Sequence, residues 1–304
     1  MFIIKAGAIA AALVCVFSGT AAARSGPPPF QAVTVYALGP NDSYVAEYEG
    51  TPGQWTIIGG PATYLYAGSA GVFAVSPGSN DIYQYDGTPG EWTEIGGPGS
   101  EFAEAGDHLY GLGPGAAYVA EYDGTPGQWS IVDNQKAAII YGGADGLFAV
   151  SLDSNEDVLK YDGTPDEWTN IGFDQVQDIA VGTNCVYAER QDGEDIEQWT
   201  SGTGWVGIGS PAHGTVRDLL AGGGGFVVNV PSTATEWEYN GTPGSWSEIS
   251  TDQQLDVEAV STDYIYGIKY DQTSAPADVE VYSGTGTQWT IIGGPATPPL
   301  AAGD

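Results

Sequence analysis

The sequence is poor in positive charge. Seven Lys and Arg stand against 39 Asp and Glu among 304 residues, which gives a formal net charge of −32. Nucleic-acid binding depends mainly on Lys and Arg side chains that neutralise phosphates, so this balance excludes a nucleic-acid partner. The same shortage argues against anionic membrane surfaces. A high net charge keeps proteins soluble and apart, so we expect a monomer.

Cysteine and long apolar stretches are also scarce. The two cysteines cannot form a scaffold of several disulfides. The apolar stretch at residues 6–17 is shorter than the about 20 residues that cross a bilayer, so we expect no membrane span. It lies between Lys5 and the small residues Ala21 and Ala23, which is typical of a cleaved signal peptide. We therefore predict a signal peptide over residues 1–23, a linker over residues 24–32 and a secreted mature protein.

Glycine and aromatic residues are abundant by contrast. The chain has 46 Gly, nine Trp, 18 Tyr and eight Phe. This many large apolar side chains is unusual in disordered chains, which lack the apolar surface to form a core. Mature residues show no long helical pattern, so the composition favours a folded β protein.

A repeat of about 40 residues organises the mature chain. Its marker is a Trp that follows a Tyr-Asp-Gly-Thr-Pro-Gly type of turn, and the marker residues are Trp55, Trp92, Trp129, Trp168, Trp205, Trp246 and Trp289. Repeats of this length with several short strands each are typical of β-propeller blades. The sequence therefore predicts an all-β fold, a seven-bladed β-propeller over residues 33–304 with four-stranded antiparallel blades.

One repeat unit shows where the strands should lie. In the second unit, apolar segments at residues 63–67, 72–75, 82–85 and 92–95 are separated by Gly-rich and Pro-rich turns. Pro fits the second position of a type II turn and Gly the third, so Thr-Pro-Gly predicts a tight turn between the last two strands.

The two ends of the repeat region look complementary. The first unit has no convincing strand before Val33, whereas the last unit continues from Gly293 to the C-terminus with a copy of the segment that starts at Gly59. We expect the C-terminal segment to pair with the N-terminal strands and to close the ring. Its two prolines weaken this pairing, because each removes a ladder donor.

These repeats resemble a known family. Trp strands that end in Ile-Gly-Gly, the Gly146–Val150 strand and the Tyr-Asp-Gly turns are similar to the repeats of tectonin and tachylectin β-propellers. The resemblance covers nearly the whole mature chain, but it lies in the scaffold repeat. It implies a non-enzymatic, lectin-like recognition protein that binds glycans or glycoconjugates.

The marker tryptophans are the first candidate binding residues. An indole face stacks on the apolar face of a sugar, and repeated sites raise avidity. We therefore consider all seven as candidate carbohydrate-binding residues: Trp55, Trp92, Trp129, Trp168, Trp205, Trp246 and Trp289. Packing between neighbouring blades is the competing, and simpler, explanation for a Trp that recurs in every unit.

Acidic residues of the turns are the second set. Asp86, Asp123 and Asp162 follow the Tyr that recurs in the repeat units. Their carboxylates could accept hydrogen bonds from sugar hydroxyls. Asp at this place also stabilises turns by bonding to nearby backbone, which is the alternative role. Asn41 and Asn240 begin potential glycosylation sequons.

Catalytic and metal-binding patterns are weak. Asp178 and Asp218 occupy matching places in adjacent units, where they could meet in the central channel and hold a cation. We expect no cofactor and no enzymatic activity, because the connections are short and carry no catalytic motif. Two alternatives remain open: an acidic scaffold that recruits a basic protein, and a glycoside hydrolase with a carboxylate pair in the channel.

Overall fold

A computed structural model describes residues 35–134, 137–152, 155–173, 175–191, 195–211, 215–270 and 277–303. The predicted signal peptide and linker, residues 1–23 and 24–32, lie outside the described residues. Within the described ranges the chain forms 27 β-strands and two short 3-10 turns, Pro40–Asp42 and Pro114–Ala116. No helix in these ranges is long and apolar enough to cross a membrane.

The strands are short and follow one another along the whole repeat region. In chain order they are β1 (Val35–Leu38), β2 (Val45–Tyr48), β3 (Trp55–Gly59), β4 (Tyr64–Gly68), β5 (Gly71–Val75), β6 (Ile82–Tyr85), β7 (Trp92–Gly96), β8 (Glu101–Ala105), β9 (His108–Leu112), β10 (Val119–Tyr122), β11 (Trp129–Asp133), β12 (Ala137–Gly143), β13 (Gly146–Ser151), β14 (Val158–Tyr161), β15 (Trp168–Gly172), β16 (Val176–Val181), β17 (Val186–Arg190), β18 (Ile196–Thr200), β19 (Gly204–Gly207), β20 (Arg217–Gly222), β21 (Gly225–Val230), β22 (Thr235–Tyr239), β23 (Trp246–Ser250), β24 (Leu255–Val260), β25 (Ile265–Lys269), β26 (Ala277–Tyr282) and β27 (Trp289–Ala302).

The strands form a β-propeller with antiparallel pairing throughout. Five four-stranded blades contain β4–β7, β8–β11, β12–β15, β16–β19 and β20–β23. The remaining strands form one seven-stranded sheet in the order β24-β25-β26-β27-β1-β2-β3. The first strands of neighbouring sheets contact one another around the centre, and β27 contacts both β24 and β4. The all-β propeller class predicted from the sequence is therefore confirmed.

The predicted count of seven four-stranded blades is wrong, because the structure has five such blades and one larger sheet. The difference lies in the linker that follows each Trp strand. Between β3 and β4 the chain leaves the sheet at residues 60–63, whereas Trp289–Ala302 runs on as one strand. Its first part pairs with β26 and its last part with β1, with Ala302 opposite Val35. The expected contact between the two ends of the repeat region is present within this sheet.

The local signals of the second unit agree with its structure. The four predicted segments correspond to β4–β7 with small shifts at the ends. In the turn before β7, the Glu91 amide donates to the Thr88 carbonyl at 2.9 Å, and Gly90 has a φ of 88°. This positive φ is the conformation that the third position of a type II turn requires, so Pro89-Gly90 forms the predicted turn.

The core lies between the sheets rather than within one layer. Blade β4–β7 contributes Phe73 and Ile82 to one interface, where they pack with Phe102 and Leu109 of the next blade. Its other face buries Leu65 and Ala74 against β1–β3. Both faces of a strand are therefore covered, which explains why apolar residues of opposite parity occur in the same strand.

Leu300 tests how much the closing strand contributes. Its side chain is 5% exposed within the interface that contains Val35 and Ala37. We expect Leu300→Ala to lower the free energy of unfolding by about 2–5 kcal/mol, as buried Leu truncations do. Denaturant unfolding measures this loss. The control is Leu152→Ala, at a site 51% exposed, which should change the value by about 0.5 kcal/mol or less. Equal effects of the two changes would contradict a stabilising role for the closing strand.

Candidate functional site

The marker tryptophans connect each unit to the one before it. The Nε1 group of Trp92 donates a hydrogen bond of 2.8 Å to the Ile58 carbonyl, and the Gly90 amide donates to the same oxygen at 2.8 Å. Five more Nε1 groups make the equivalent bond at 2.8–3.4 Å: Trp55 to Ile292, Trp129 to Ile95, Trp168 to Val132, Trp205 to Ile171 and Trp289 to Ile249. Each bond fixes the outer strand of one unit against the next.

A glycine makes this close approach possible. Gly59 follows Ile58, and a Cβ at Gly59 would lie 2.8 Å from Nε1 of Trp92. Gly96 has the same relation to Trp129. At these two places the Ile-Gly-Gly pattern provides both the acceptor carbonyl and the space for the indole of the following unit. The bond also forms where Asp133 or Ser250 follows the acceptor.

A tyrosine supports the other side of most of these rings. The Tyr and Trp ring centroids of one unit are 5.1–5.3 Å apart and inclined by 36–49°, a tilted packing that aromatic pairs favour. All seven marker Trp side chains are half-buried. Packing between units thus accounts for their recurrence, and their contact with sugars stays a prediction.

The three turn aspartates are held by hydroxyl groups of their own hairpins. Oδ2 of Asp86, Asp123 and Asp162 accepts a hydrogen bond from the Ser or Thr seven positions later, at 2.9, 3.1 and 2.7 Å. The donors are side-chain hydroxyls of the following strand rather than backbone groups of the turn, so the turn-stabilising alternative stays a prediction. All three residues are exposed and none of them lines the cavities described below. Their role in sugar binding also stays a prediction.

Asp178 contributes to an interface between blades. Its two carboxylate oxygens accept hydrogen bonds from the backbone amides of Leu219, at 3.1 Å on the next blade, and of Ile179, at 2.8 Å. Burial raises the pKa of Asp178, the two amides lower it, and the negative charge of exposed Asp218 raises it further. Within the described ranges, no group of three or more His, Cys, Asp and Glu side chains is arranged to hold a metal ion.

Three cavities lie beside marker tryptophans of neighbouring units. We name them the Trp129, Trp92 and Trp55 clefts, and their volumes are about 350, 180 and 220 Å³. Each is bounded by its Trp ring and by residues of a Gly-Pro sequence. These are Gly97 and Pro98 or Gly60 and Pro61 in linkers, and Gly294 within β27. None of the residues that line the three cavities is charged. Concave, largely apolar cavities with a few polar groups are typical of small-molecule sites, and the Trp129 cleft reaches the usual volume of about 300 Å³ or more.

The third strand of each unit supplies a further wall, which the sequence analysis missed. Tyr118 and Ala120 line the Trp129 cleft, and Tyr44 and Ala46 line the Trp55 cleft. The signal was available, because residues 112–122 and 38–48 share the pattern Leu-Gly-Pro-x-x-x-Tyr-Val-Ala-Glu-Tyr. In the Trp92 cleft the strand supplies Tyr83 at the place of the alanines.

Two glutamates lie where blade β20–β23 meets the seven-stranded sheet: Glu236 is buried and Glu258 is half-buried. Glu236 is 2% exposed and accepts a hydrogen bond from Asn229 Nδ2 at 2.7 Å. Loss of hydration raises the pKa of Glu236 to about 8, against the lowering effect of Asn229; Asp256 and Asp218 raise it further. Burial and the same two aspartates raise the pKa of Glu258 to about 7.

The indole bonds can be tested with two matched substitutions. Trp92→Phe keeps an aromatic ring but removes the bond to the Ile58 carbonyl, so the free energy of unfolding should fall by about 1 kcal/mol, in addition to a smaller packing loss. Among the described residues, Nε1 of Trp246 is buried without a hydrogen-bond partner. Trp246→Phe removes an unsatisfied donor and should therefore be less destabilising. Denaturant unfolding compares the two variants, and an equal loss would contradict the importance of the indole bond.

Stability should depend on pH through Glu236 and Glu258. Because their folded pKa values are raised, the folded state retains their protons at a pH where the unfolded chain has lost them. The free energy of unfolding should be highest in mild acid and should fall as pH rises from about 5 to 8. Lys269 lowers the pKa of Asp252, which acts in the opposite sense only at lower pH.

Glu236→Gln should reduce this pH dependence and should raise stability at pH 8. Denaturant unfolding between pH 5 and pH 9 measures the effect. Glu49→Gln, at an exposed position, removes the same unit of charge and is the control. A profile for Glu236→Gln that coincides with that of Glu49→Gln would contradict the assignment.

Comparisons with known proteins identify the fold alone. No family model and no curated protein matches the sequence. Among solved structures, a prolyl endopeptidase has a TM-score of 0.57 at 13% identity, and the match covers 87% of this chain and 48% of that one. YCF48 bound to D1 peptide has a TM-score of 0.51 at 10% identity, with 86% and 87% of the chains covered. The ectodomain of the Physcomitrella patens receptor kinase CR4 has a TM-score of 0.50 at 16% identity, with 82% and 73% covered.

Proposed function

We propose that the protein is a secreted, non-catalytic carbohydrate-binding protein with several sites on one propeller. The observation that carries this proposal is the recurrence of the same kind of cleft in three consecutive units, beside Trp55, Trp92 and Trp129. Weak sites that are held at fixed spacing on a rigid scaffold gain avidity for glycans displayed on a surface.

The chemistry of the cleft walls supports a sugar as the ligand. The Trp rings offer apolar surface to the C–H face of a pyranose, and so do the prolines of the Trp129 and Trp92 clefts and Ile57 of the Trp55 cleft. Gly60 and Gly97 are exposed and have no side chain that would shield their backbone groups, so hydroxyl groups of a sugar can reach them. The indole Nε1 groups already donate to carbonyls of the preceding units, so they are not the groups that bind the sugar.

The charge of the protein limits the class of sugars that it is expected to bind. The lining residues are uncharged and the chain as a whole carries a formal charge of −32. Sialylated, sulfated and uronic-acid glycans would be repelled, since no cation in the lining compensates for this field. Neutral glycans are therefore the expected class.

A glycan array with the mature protein tests this function. We expect binding to a subset of neutral glycans and little binding to anionic ones. Free neutral oligosaccharide should compete for the immobilised glycan, and 0.5 M NaCl should have little effect because the contacts are not ionic. Absence of signal above background on every neutral glycan would refute the proposal.

A second candidate is an acidic scaffold for a basic protein partner. Lys160, Arg190 and Lys269 are engaged in ion pairs with Asp145, Glu197 and Asp252, which leaves an excess of carboxylates on the surface. Binding of this kind would weaken steeply as salt rises and would not respond to free sugars. The salt and sugar arms of the same experiment therefore separate the two functions.

A further inference from the structure

The first four repeat units, three of which carry the clefts, are of two alternating types. The first and third units carry the Leu-Gly-Pro-x-x-x-Tyr-Val-Ala-Glu-Tyr pattern, at residues 38–48 and 112–122. The second and fourth units have Ser and Asp where this pattern has its Gly and its first Tyr: Ser76 and Asp81, and Ser151 and Asp157. The sequence contains the Gly-Pro-Tyr version twice.

The loop is closed by the same backbone hydrogen bond in both types. In the Gly-Pro-Tyr loops, the backbone amide of the first loop residue donates to the backbone carbonyl of the last. These bonds, from Gly39 to Tyr44 and from Gly113 to Tyr118, are both 2.8 Å long. The corresponding bond in the other type is 2.9 Å for Ser76–Asp81. The two types therefore share the closing hydrogen bond but differ inside the loop. The Gly-Pro-Tyr loops contain the 3-10 turns Pro40–Asp42 and Pro114–Ala116, whereas the Asn80 amide bonds to the Ser76 carbonyl.

Glycine is required in the Gly-Pro-Tyr loops because the tyrosine ring lies over it. A Cβ at Gly113 would be 2.6 Å from Cζ of Tyr118, and a Cβ at Gly39 would collide with the ring of Tyr44 in the same way. The ring is thus held down on the backbone of its own loop, where it forms a wall of the cleft.

A hydroxyl group from the preceding linker fixes both loops. Oγ of Ser100 donates to the Gly113 carbonyl at 3.1 Å and accepts from the Gly115 amide at 3.0 Å. Oγ1 of Thr297 donates to the Gly39 carbonyl at 2.8 Å. Oγ1 of Thr63 makes the corresponding bond to the Val75 carbonyl at 3.2 Å in the other loop type, so this hydroxyl supports both types and does not distinguish them.

The third strand also differs between the two types of unit. Ala46 and Ala120 leave room beside the tyrosines, whereas Tyr83 occupies the corresponding place in the Trp92 cleft. In keeping with this, the two clefts with Ala have volumes of about 220 and 350 Å³, and the cleft with Tyr83 has about 180 Å³.

We propose that the Trp55 and Trp129 clefts are the two glycan sites of the chain, and that Tyr44 and Tyr118 are their specificity-determining residues. A pyranose ring in either cleft contacts the Tyr ring and the Trp ring, and the Tyr hydroxyl at the rim donates to a sugar oxygen. This inference rests on the proposed function and adds which of the clefts bind. The ligand is a neutral pyranose, because both clefts are lined by uncharged residues.

Calorimetric titration of the mature protein with lactose, cellotriose, mannotriose and triacetylchitotriose tests the assignment. The sugar that binds is expected to show two sites per chain. Tyr44→Ala and Tyr118→Ala should each remove one site, and the double variant should bind at least about tenfold more weakly, which corresponds to ~1.4 kcal/mol. Tyr83→Ala is the matched control in the Trp92 cleft and should keep both sites.

Two further variants separate the contact from folding. Tyr44→Phe and Tyr118→Phe keep the rings and should retain binding with about a fivefold loss, the scale of a single neutral hydrogen bond. The melting temperature of each variant is measured alongside. Since Tyr118 is 37% exposed, Tyr118→Ala should change it little.

The outcomes distinguish this inference from the proposed function. Binding that survives the Tyr44→Ala/Tyr118→Ala double substitution, or that is lost in Tyr83→Ala, overturns the assignment and leaves a carbohydrate-binding protein with other sites. No binding of any of the four sugars, together with an empty glycan array, overturns both.

Discussion

One contact between neighbouring units supports the whole arrangement: the carbonyl at the end of an outer strand accepts two donors from the next unit. At Ile58 these donors are the indole of Trp92 and the amide of Gly90. An outer strand has an unpaired edge, and an edge that is left open is a hazard for aggregation. The contact satisfies one acceptor of that edge and at the same time fixes the angle at which the next blade packs.

This role of the tryptophans separates the scaffold from the recognition surface. The Trp recurs because its indole packs one unit against the one before it. The turn amide donates to the same carbonyl whether the turn residue is Gly90 or Asp166. The side chains in the loop between the second and third strands of a unit do not hold neighbouring units together. Tyr44 and Asp81 end loops that are closed by the same backbone hydrogen bond, so the chemistry of a cleft can change without a change in the strands.

Local features of the fold could be predicted from the sequence, and non-local features could not. Alternating apolar residues and the Pro89-Gly90 turn placed the strands of the second unit, because strand pairing across a tight turn is decided by adjacent residues. The number of four-stranded blades was wrong because Gly293 and Gly294 resemble Gly59 and Gly60, yet the chain remains in one strand at the first pair and leaves it at the second. That difference depends on pairing with β1, far away in the sequence.

The candidate site also has features that could be predicted from the sequence and features that could not. The Trp positions were evident from their repetition. Their acceptor carbonyls belong to other units, and the Ile-Gly-Gly pattern that marks several acceptors does not show which Trp binds them. The walls formed by Tyr44 and Tyr118 could have been found, because the pattern around them is duplicated. The interface contact of Asp178 could not have been found from the sequence. Its partner is the backbone amide of Leu219, and every residue except proline has such an amide.

The pairing of β27 with β1 sets the order in which the molecule can be completed during synthesis. Thr297 reaches the carbonyl of Gly39, 258 positions earlier in the chain. Each intermediate blade can settle on its predecessor as it leaves the ribosome, since its partners are already present. The strands β1–β3 can pack on β4–β7 early, but the inner edge of β1 has no partner until β27 is translated. Until then this edge is open to solvent and to chaperones.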